Sequence, residues 1–139
     1  MKSRFTPLVK LKKNIIQKSE QSLQKANGNL NSASTALKLS YKFLEDVEPP
    51  KSGKMGEMLA SRMLLDSQRE LINHNKEWVT FASNQVIQAK KQLKIDMIEH
   101  EKFQYLELQE IKEELKKREA VEAKDLDEIA LMSYNGKNR

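Results

Sequence analysis

The sequence predicts an all-α fold: two long helices forming an antiparallel coiled-coil hairpin, the second helix overhanging the first. Three observations lead there. Lys, Glu, Gln, Leu and Ala dominate the 139 residues, with 4 glycines and 3 prolines, a mix that favours long helices over sheet. Two of those prolines and two of those glycines fall in one stretch, EDVEPPKSGKMG, residues 45–56. On each side of it, apolar residues recur at seven-residue steps, the spacing of a helical seam.

The chain starts basic. Its first eighteen residues hold Lys2, Arg4, Lys10, Lys12, Lys13 and Lys18 and no acid. Thr6-Pro7 is a helix start: Thr caps free amides, and Pro needs no N–H at the first helical position. Helix 1 is expected over 6–47. Its seam reads Val9, Ile16, Leu23, Leu30, Leu37, Leu44, and smaller residues follow three places on as Ser19, Ala26, Ala33, Ser40, Val47. Asn27-Gly28 is a turn dipeptide, but Leu23 and Leu30 keep phase across it. Gly28 is therefore read as a weak point within the helix, costing ~1 kcal/mol relative to Ala.

Residues 48–56 are expected to bend. Gly53-Lys54 ends like a phosphate-binding loop, which needs Gly, four residues, Gly-Lys, then Ser or Thr. Glu48 stands where the first Gly belongs, Met55 where Ser or Thr belongs, and Pro49 and Pro50 remove amide donors. A nucleotide site is rejected. Pro49-Pro50 breaks one helix, and Gly53 and Gly56 free the backbone before the next.

Helix 2 is expected over 57–134, with a tail at 135–139 after the stop signal Asn135-Gly136. Its seam reads Met58, Leu65, Ile72, Val79, Val86, Leu93, widened by Leu64, Leu71 and Trp78. Folding at the bend sets Leu44 opposite Met58, Leu37 opposite Leu65, and so on to Val9 opposite Leu93, with a slip of a few residues left open because antiparallel seams often pair one heptad position with the other. Helix 1 would reach ~60 Å and helix 2 ~115 Å at the α-helical rise. Beyond about Ile98 helix 2 then lacks a partner, leaving Phe103, Tyr105, Leu106, Leu108, Ile111 and Leu115 with nothing in the chain to bury against. The whole is expected to be a single hairpin domain.

Little chemistry survives inspection. There is no cysteine, so disulfides and thiolate metal sites are excluded. No stretch approaches the ~20 apolar residues of a membrane span, and Lys interleaves the N-terminal apolar residues, unlike a signal peptide. An intracellular, soluble setting fits this reading. Glu70, His74 and Glu77 lie on adjacent turns, and Asp96 precedes His100 by four, but neither His has Glu three residues before it, as a di-iron bundle requires. Both are read as surface histidines. Glu113 and Glu114 point in different directions, and two helices offer no concave pocket. No catalytic residue, cofactor or metal is expected. The basic N-terminus lacks interleaved aromatics other than Phe5 and any nucleic-acid motif. Residues 4–16 are amphipathic enough to lie on a membrane, but the seam explains their apolar positions better.

Three stretches add a resemblance: RFTPLVKLKK at the start, NKEWVTFASNQV mid-way along helix 2, and REAVEAKDLDEIALMSYN near the end. With Phe5, Leu8, Leu11 and Lys12, and with Lys124, Leu126, Asp127, Glu128, Ile129 and Ala130, the chain resembles the flagellar FliJ family of bacterial type III export proteins. The resemblance implies a non-enzymatic coiled coil, similar to the central stalk of rotary ATP synthases. Its paired termini would enter the hexameric flagellar export ATPase and promote ring assembly. A surface toward the bend would engage the export-gate membrane protein, and the chain would handle export chaperones. The implied place is cytoplasmic, peripheral at the cytoplasmic face of the inner membrane, with no direct membrane insertion and no nucleic acid. The candidate ring contacts are Lys10, Lys12, Lys13, Lys116, Lys117, Arg118, Asp127 and Glu128. The candidate gate contacts are Leu39, Phe43, Ala60, Leu64 and Leu71, where Leu64 and Leu71 equally suit a widened intramolecular stripe. Two rival functions remain: a secretion chaperone holding helical export substrates through 103–115, and a nucleic-acid-binding coiled coil.

Overall fold

The computed structural model describes residues 2–47 and 53–137. Two helices account for the fold: α1, Thr6–Glu45, and α2, Met55–Lys137. Among the described residues there is no strand. The bend expected at 48–56 falls largely on residues 48–52, including Pro49-Pro50, which lie outside the described residues.

The start of α1 is capped from further upstream than its sequence suggests. The Ser3 hydroxyl accepts a hydrogen bond from the Phe5 N–H (3.1 Å), and the Thr6 hydroxyl accepts one from the Ser3 N–H (3.0 Å). The cap is thus reciprocal: Ser3 serves the first amides and Thr6 reaches back to Ser3. Gly28 stays helical, with no positive φ, and the helix runs through Asn27-Gly28 unbroken. At the far end the Val47 N–H bonds the Leu44 carbonyl (3.3 Å), tightening the last turn. Helix α2 opens on Lys54, whose carbonyl takes the Glu57 and Met58 amides (3.1 Å each). Glu57 in the first turn complements the positive end of the helix dipole. Helix α2 continues through Asn135-Gly136 to Lys137, past the expected stop; such end differences lie within the usual scatter of helix boundaries.

The chain forms two compact units: Gln17–Ile95, and Met1–Ile16 with Asp96–Arg139. In each, α1 and α2 run antiparallel.

In the unit Gln17–Ile95 the line of small residues is central. Ser19, Ala26, Ala33 and Ser40 are the buried residues of α1, while Leu23, Leu30, Leu37 and Leu44 are half-buried beside them. Small side chains let two helices approach closely, and larger ones then pack along the flanks. Opposite them α2 buries Ile72, Asn75, Ala82 and Val86. Asn75 marks the register. Its side-chain amide donates to the Ser40 hydroxyl and to the Ala36 carbonyl (3.3 Å), while the Ser40 hydroxyl donates to the same carbonyl (2.7 Å).

This register corrects the expected one. In the earlier pairing Ser40 would face Arg62; it meets Asn75, thirteen positions further along α2. Met58, which was to face Leu44, is exposed at 55%. A heptad pattern fixes the phase of a helix but not its offset against a partner, and the Ser40–Asn75 bridge shows the offset adopted here.

The unit Met1–Ile16 with Asp96–Arg139 carries the same consequence. The Phe5 and Phe103 rings lie 6.4 Å apart, tilted at 45°. Arg4 donates to Glu110 twice, from its backbone N–H (3.2 Å) and from Nε (3.0 Å). So α2 keeps a partner well beyond Ile98. Phe103, Leu106 and Ile111 are half-buried, not bare, whereas Tyr105, Leu108 and Leu115 are exposed. His100 is not a surface residue either: it is half-buried on the seam. From 115 to 136 every residue is exposed, and this is where the overhang of α2 begins.

Candidate functional site

Two surfaces gather the candidate residues. The first is an apolar face of the unit Gln17–Ile95. Leu39, Phe43 and Leu71 line one open groove, floored by Ala36, Ser40, Gln68 and Asn75. Phe43, Ala60 and Leu64 line a second, with Asp46, Val47, Glu57 and Ser61. Phe43 is the wall common to both. Helix α1 holds Leu39 and Phe43 four residues apart, and α2 holds Leu64 and Leu71 seven apart, so each pair shares a face. Leu39 and Phe43 are exposed at 59% and 64%, Leu64 and Leu71 at 47% and 45%. The two α2 leucines are thus divided between seam and solvent. Trp78 continues their seven-residue step and shares a shallow groove with His74, Glu77 and Phe81. Across the helices the Lys76 ammonium stands 5.8 Å from the Tyr41 ring centroid.

Gln68 was not singled out by the sequence. Its Oε1 is buried with no hydrogen-bond partner at the floor of the Leu39–Leu71 groove. Its signal was its place three residues after Leu65 and four before Ile72, a seam position filled by a polar residue.

The second surface belongs to the unit Met1–Ile16 with Asp96–Arg139. Lys10 and Lys13 are exposed on α1, and Lys116, Lys117, Asp127 and Glu128 on α2. Arg118 approaches Glu114 one turn earlier at 3.7 Å, a weak surface pair. Lys12 is different: it is half-buried, and its ammonium lies 5.5 Å from the Phe103 ring centroid. It packs against the paired helix, as its aliphatic stem allows. The Arg4 guanidinium stacks likewise over Phe5, at 5.0 Å. Sequence reading missed this clasp of Arg4, Phe5, Phe103 and Glu110. Its trace was the seven-residue step from Phe103 to Glu110, matched by an adjacent cation and aromatic at Arg4-Phe5.

The arrangement presents open apolar grooves and exposed charged side chains. Among the described residues, no three His, Cys, Asp or Glu are grouped to hold a metal ion. Glu70, His74 and Glu77 are all exposed. No helix among the described residues is long and apolar enough to cross a membrane.

The family model described as flagellar FliJ protein matches residues 1–139, the whole chain. No curated protein matches, and no solved structure does. Match of that extent, on a chain that is two antiparallel helices and little else, establishes that the protein belongs to the flagellar FliJ family.

Proposed function

We propose that this protein is a non-enzymatic stalk of the flagellar type III export apparatus, joining the export ATPase hexamer to the export-gate membrane protein. Family membership makes it a flagellar export-related protein; the stalk role is the reading that its surfaces support best. The observation that carries it is the run 115–136 of α2, helical and exposed at every residue. A helix of that length is marginal in water without tertiary contacts, and a ring lumen supplies them. Exposed there, Leu126, Ile129, Leu131 and Met132 offer apolar contact, while Lys116, Lys117, Arg118, Asp127 and Glu128 offer charge. Lys10 and Lys13 add exposed charge from α1, nearer Phe103 than the run itself, where Lys12 packs on that ring. Insertion of this end promotes ring assembly.

The groove pair around Phe43 is the gate-facing surface in this reading, with Leu39, Ala60, Leu64 and Leu71 around it. Export chaperones are further partners. The protein acts in the cytoplasm, peripheral at the cytoplasmic face of the inner membrane.

The test is copurification with the hexameric export ATPase, comparing the full chain with a triple charge reversal, Lys116→Glu, Lys117→Glu and Arg118→Glu. All three side chains are exposed, so the fold is retained and ring binding is lost. Equal binding by both chains counts against the reading. The chaperone alternative, with substrates held on 103–115, is weakened because Phe103, Leu106 and Ile111 are half-buried within the hairpin.

A further inference from the structure

We propose that residues 2–16, the lead-in and first turns of α1, and 96–114 of α2 form a latch that opens as one segment, independently of the unit Gln17–Ile95, and that the Phe5–Phe103 and Arg4–Glu110 clasp holds it shut. Four observations carry this. The buried hydrophobic residues among those described are Ala26, Ala33, Ile72, Ala82 and Val86, and all belong to Gln17–Ile95. The other unit buries only polar residues, Ser3 and Asp96. Its seam places His100 and Glu107 seven residues apart on one line, and His100 Nε2 and Glu107 Oε2 are both buried without a hydrogen-bond partner. Buried polar atoms left unpaired favour the open state, where water satisfies them. Against this stand the two clasp contacts near the start of α1 and the Lys12 ammonium over the Phe103 ring.

Segments with little apolar burial and exposed hydrogen bonds open at lower free energy than the rest of a protein, in contiguous cooperative units. Opening here frees Phe5 from Phe103 and uncovers Leu106 and Ile111, adding an apolar face to the surface that already carries the exposed run 115–136. This gives the terminal end of the proposed stalk a moving part. Its role rests on that reading; its existence does not.

Hydrogen exchange measured by mass spectrometry on the full chain alone, with no ring present, tests the latch. Amides of 8–16 and 97–112 exchange together, about tenfold or more faster than those of 20–40 and 68–93. Phe103→Ala speeds 8–16 and 97–112 by about a further tenfold and leaves 20–40 unchanged. Glu110→Gln acts in the same direction more mildly, and it serves if the Phe103 variant fails to fold. Uniform protection along α1 overturns the proposal. So does a smooth gradient from the start of α1 that neither variant alters, since that is ordinary end fraying. Equal acceleration of both units by either variant overturns it as well. Because the ring is absent, failure of the chain to bind the ATPase leaves these outcomes untouched.

Discussion

Asn75 offers a direct test of what sets the hairpin register. It is buried at 6% exposure and donates to the Ser40 hydroxyl and to the Ala36 carbonyl at 3.3 Å. Asn75→Ala removes both donors. The second bond is long and worth little, and the first is worth about 1 kcal/mol net. Ser40 keeps its own bond to Ala36 (2.7 Å), so no buried donor is orphaned. With a small cavity term, the loss comes to roughly 1–2.5 kcal/mol. It reads as a lower urea midpoint at unchanged slope. Asn75→Leu separates stability from register. An apolar side chain there holds or raises stability, as replacement of a buried polar group by an apolar one does, but nothing then disfavours a slip of one heptad. Because the chain has no cysteine, engineered pairs report register cleanly. Ala33 and Ala82 lie one heptad along both helices from the Ser40–Asn75 bridge, so they face each other in the native register. Ala33 and Ala89 are offset by seven residues, about 10 Å, beyond disulfide reach. The 33/82 pair oxidises in the native background, and the 33/89 pair does so only with Asn75→Leu. If the Leu variant forms the 33/82 bridge alone and in full yield, the bridge does not set the register and the reasoning fails.

Other outcomes follow from the same contacts. Gly28→Ala stabilises by about 1 kcal/mol, because the position is helical and an added Cβ meets nothing within 4 Å; a melting temperature raised by roughly 3–6 °C checks it. Phe43→Ser, at a side chain 64% exposed, shifts stability by less than about 0.5 kcal/mol yet abolishes capture of the chain by the export-gate protein; circular dichroism and pull-down together separate the two. Glu110→Ala lowers stability by less than about 1 kcal/mol, because its bridge to Arg4 is exposed, and the difference from the parent shrinks as salt is raised. Lys12→Met, which keeps the stem over Phe103 and removes the charge, lowers ring binding less than Lys10→Met or Lys13→Met in the same copurification, since Lys12 is turned toward Phe103.

The two-helix hairpin was legible because period survives everything else. Val9 to Leu44 and Leu65 to Leu93 mark a seam on any reading, and Gly28 kept phase across a turn signal. The register was not legible, since a slide of about two heptads, thirteen positions at Ser40–Asn75, keeps both apolar seams in phase while trading Met58 for His100 and Glu107 at the far end. What chose among the offsets were polar residues, Ser40 and Asn75, invisible to a hydrophobic count. The same blindness misjudged Phe103. Seen in sequence it follows a seam that has turned polar at His100; in the structure it stays on that seam, because Phe5 and Arg4 reach it from the start of α1. The five residues around the bend-side grooves were legible as apolar and off the main seam, but only the folded pair of helices shows Phe43 standing between two grooves. The charged candidates were legible as charges. Their roles differ by geometry that no spacing reveals, as Lys12 and its neighbours Lys10 and Lys13 illustrate.

Among the described residues, no large side chain is completely enclosed. The hairpin therefore has no keystone; it holds like a ladder, rung by rung, along Ala26, Ala33, Ser40 and their counterparts. A ladder is shortened by removing matching rungs. Excising one heptad from each arm within Gln17–Ile95 would leave that unit folded and about 10 Å shorter. The length of that unit is thus adjustable in steps of seven, without redesigning either of its ends.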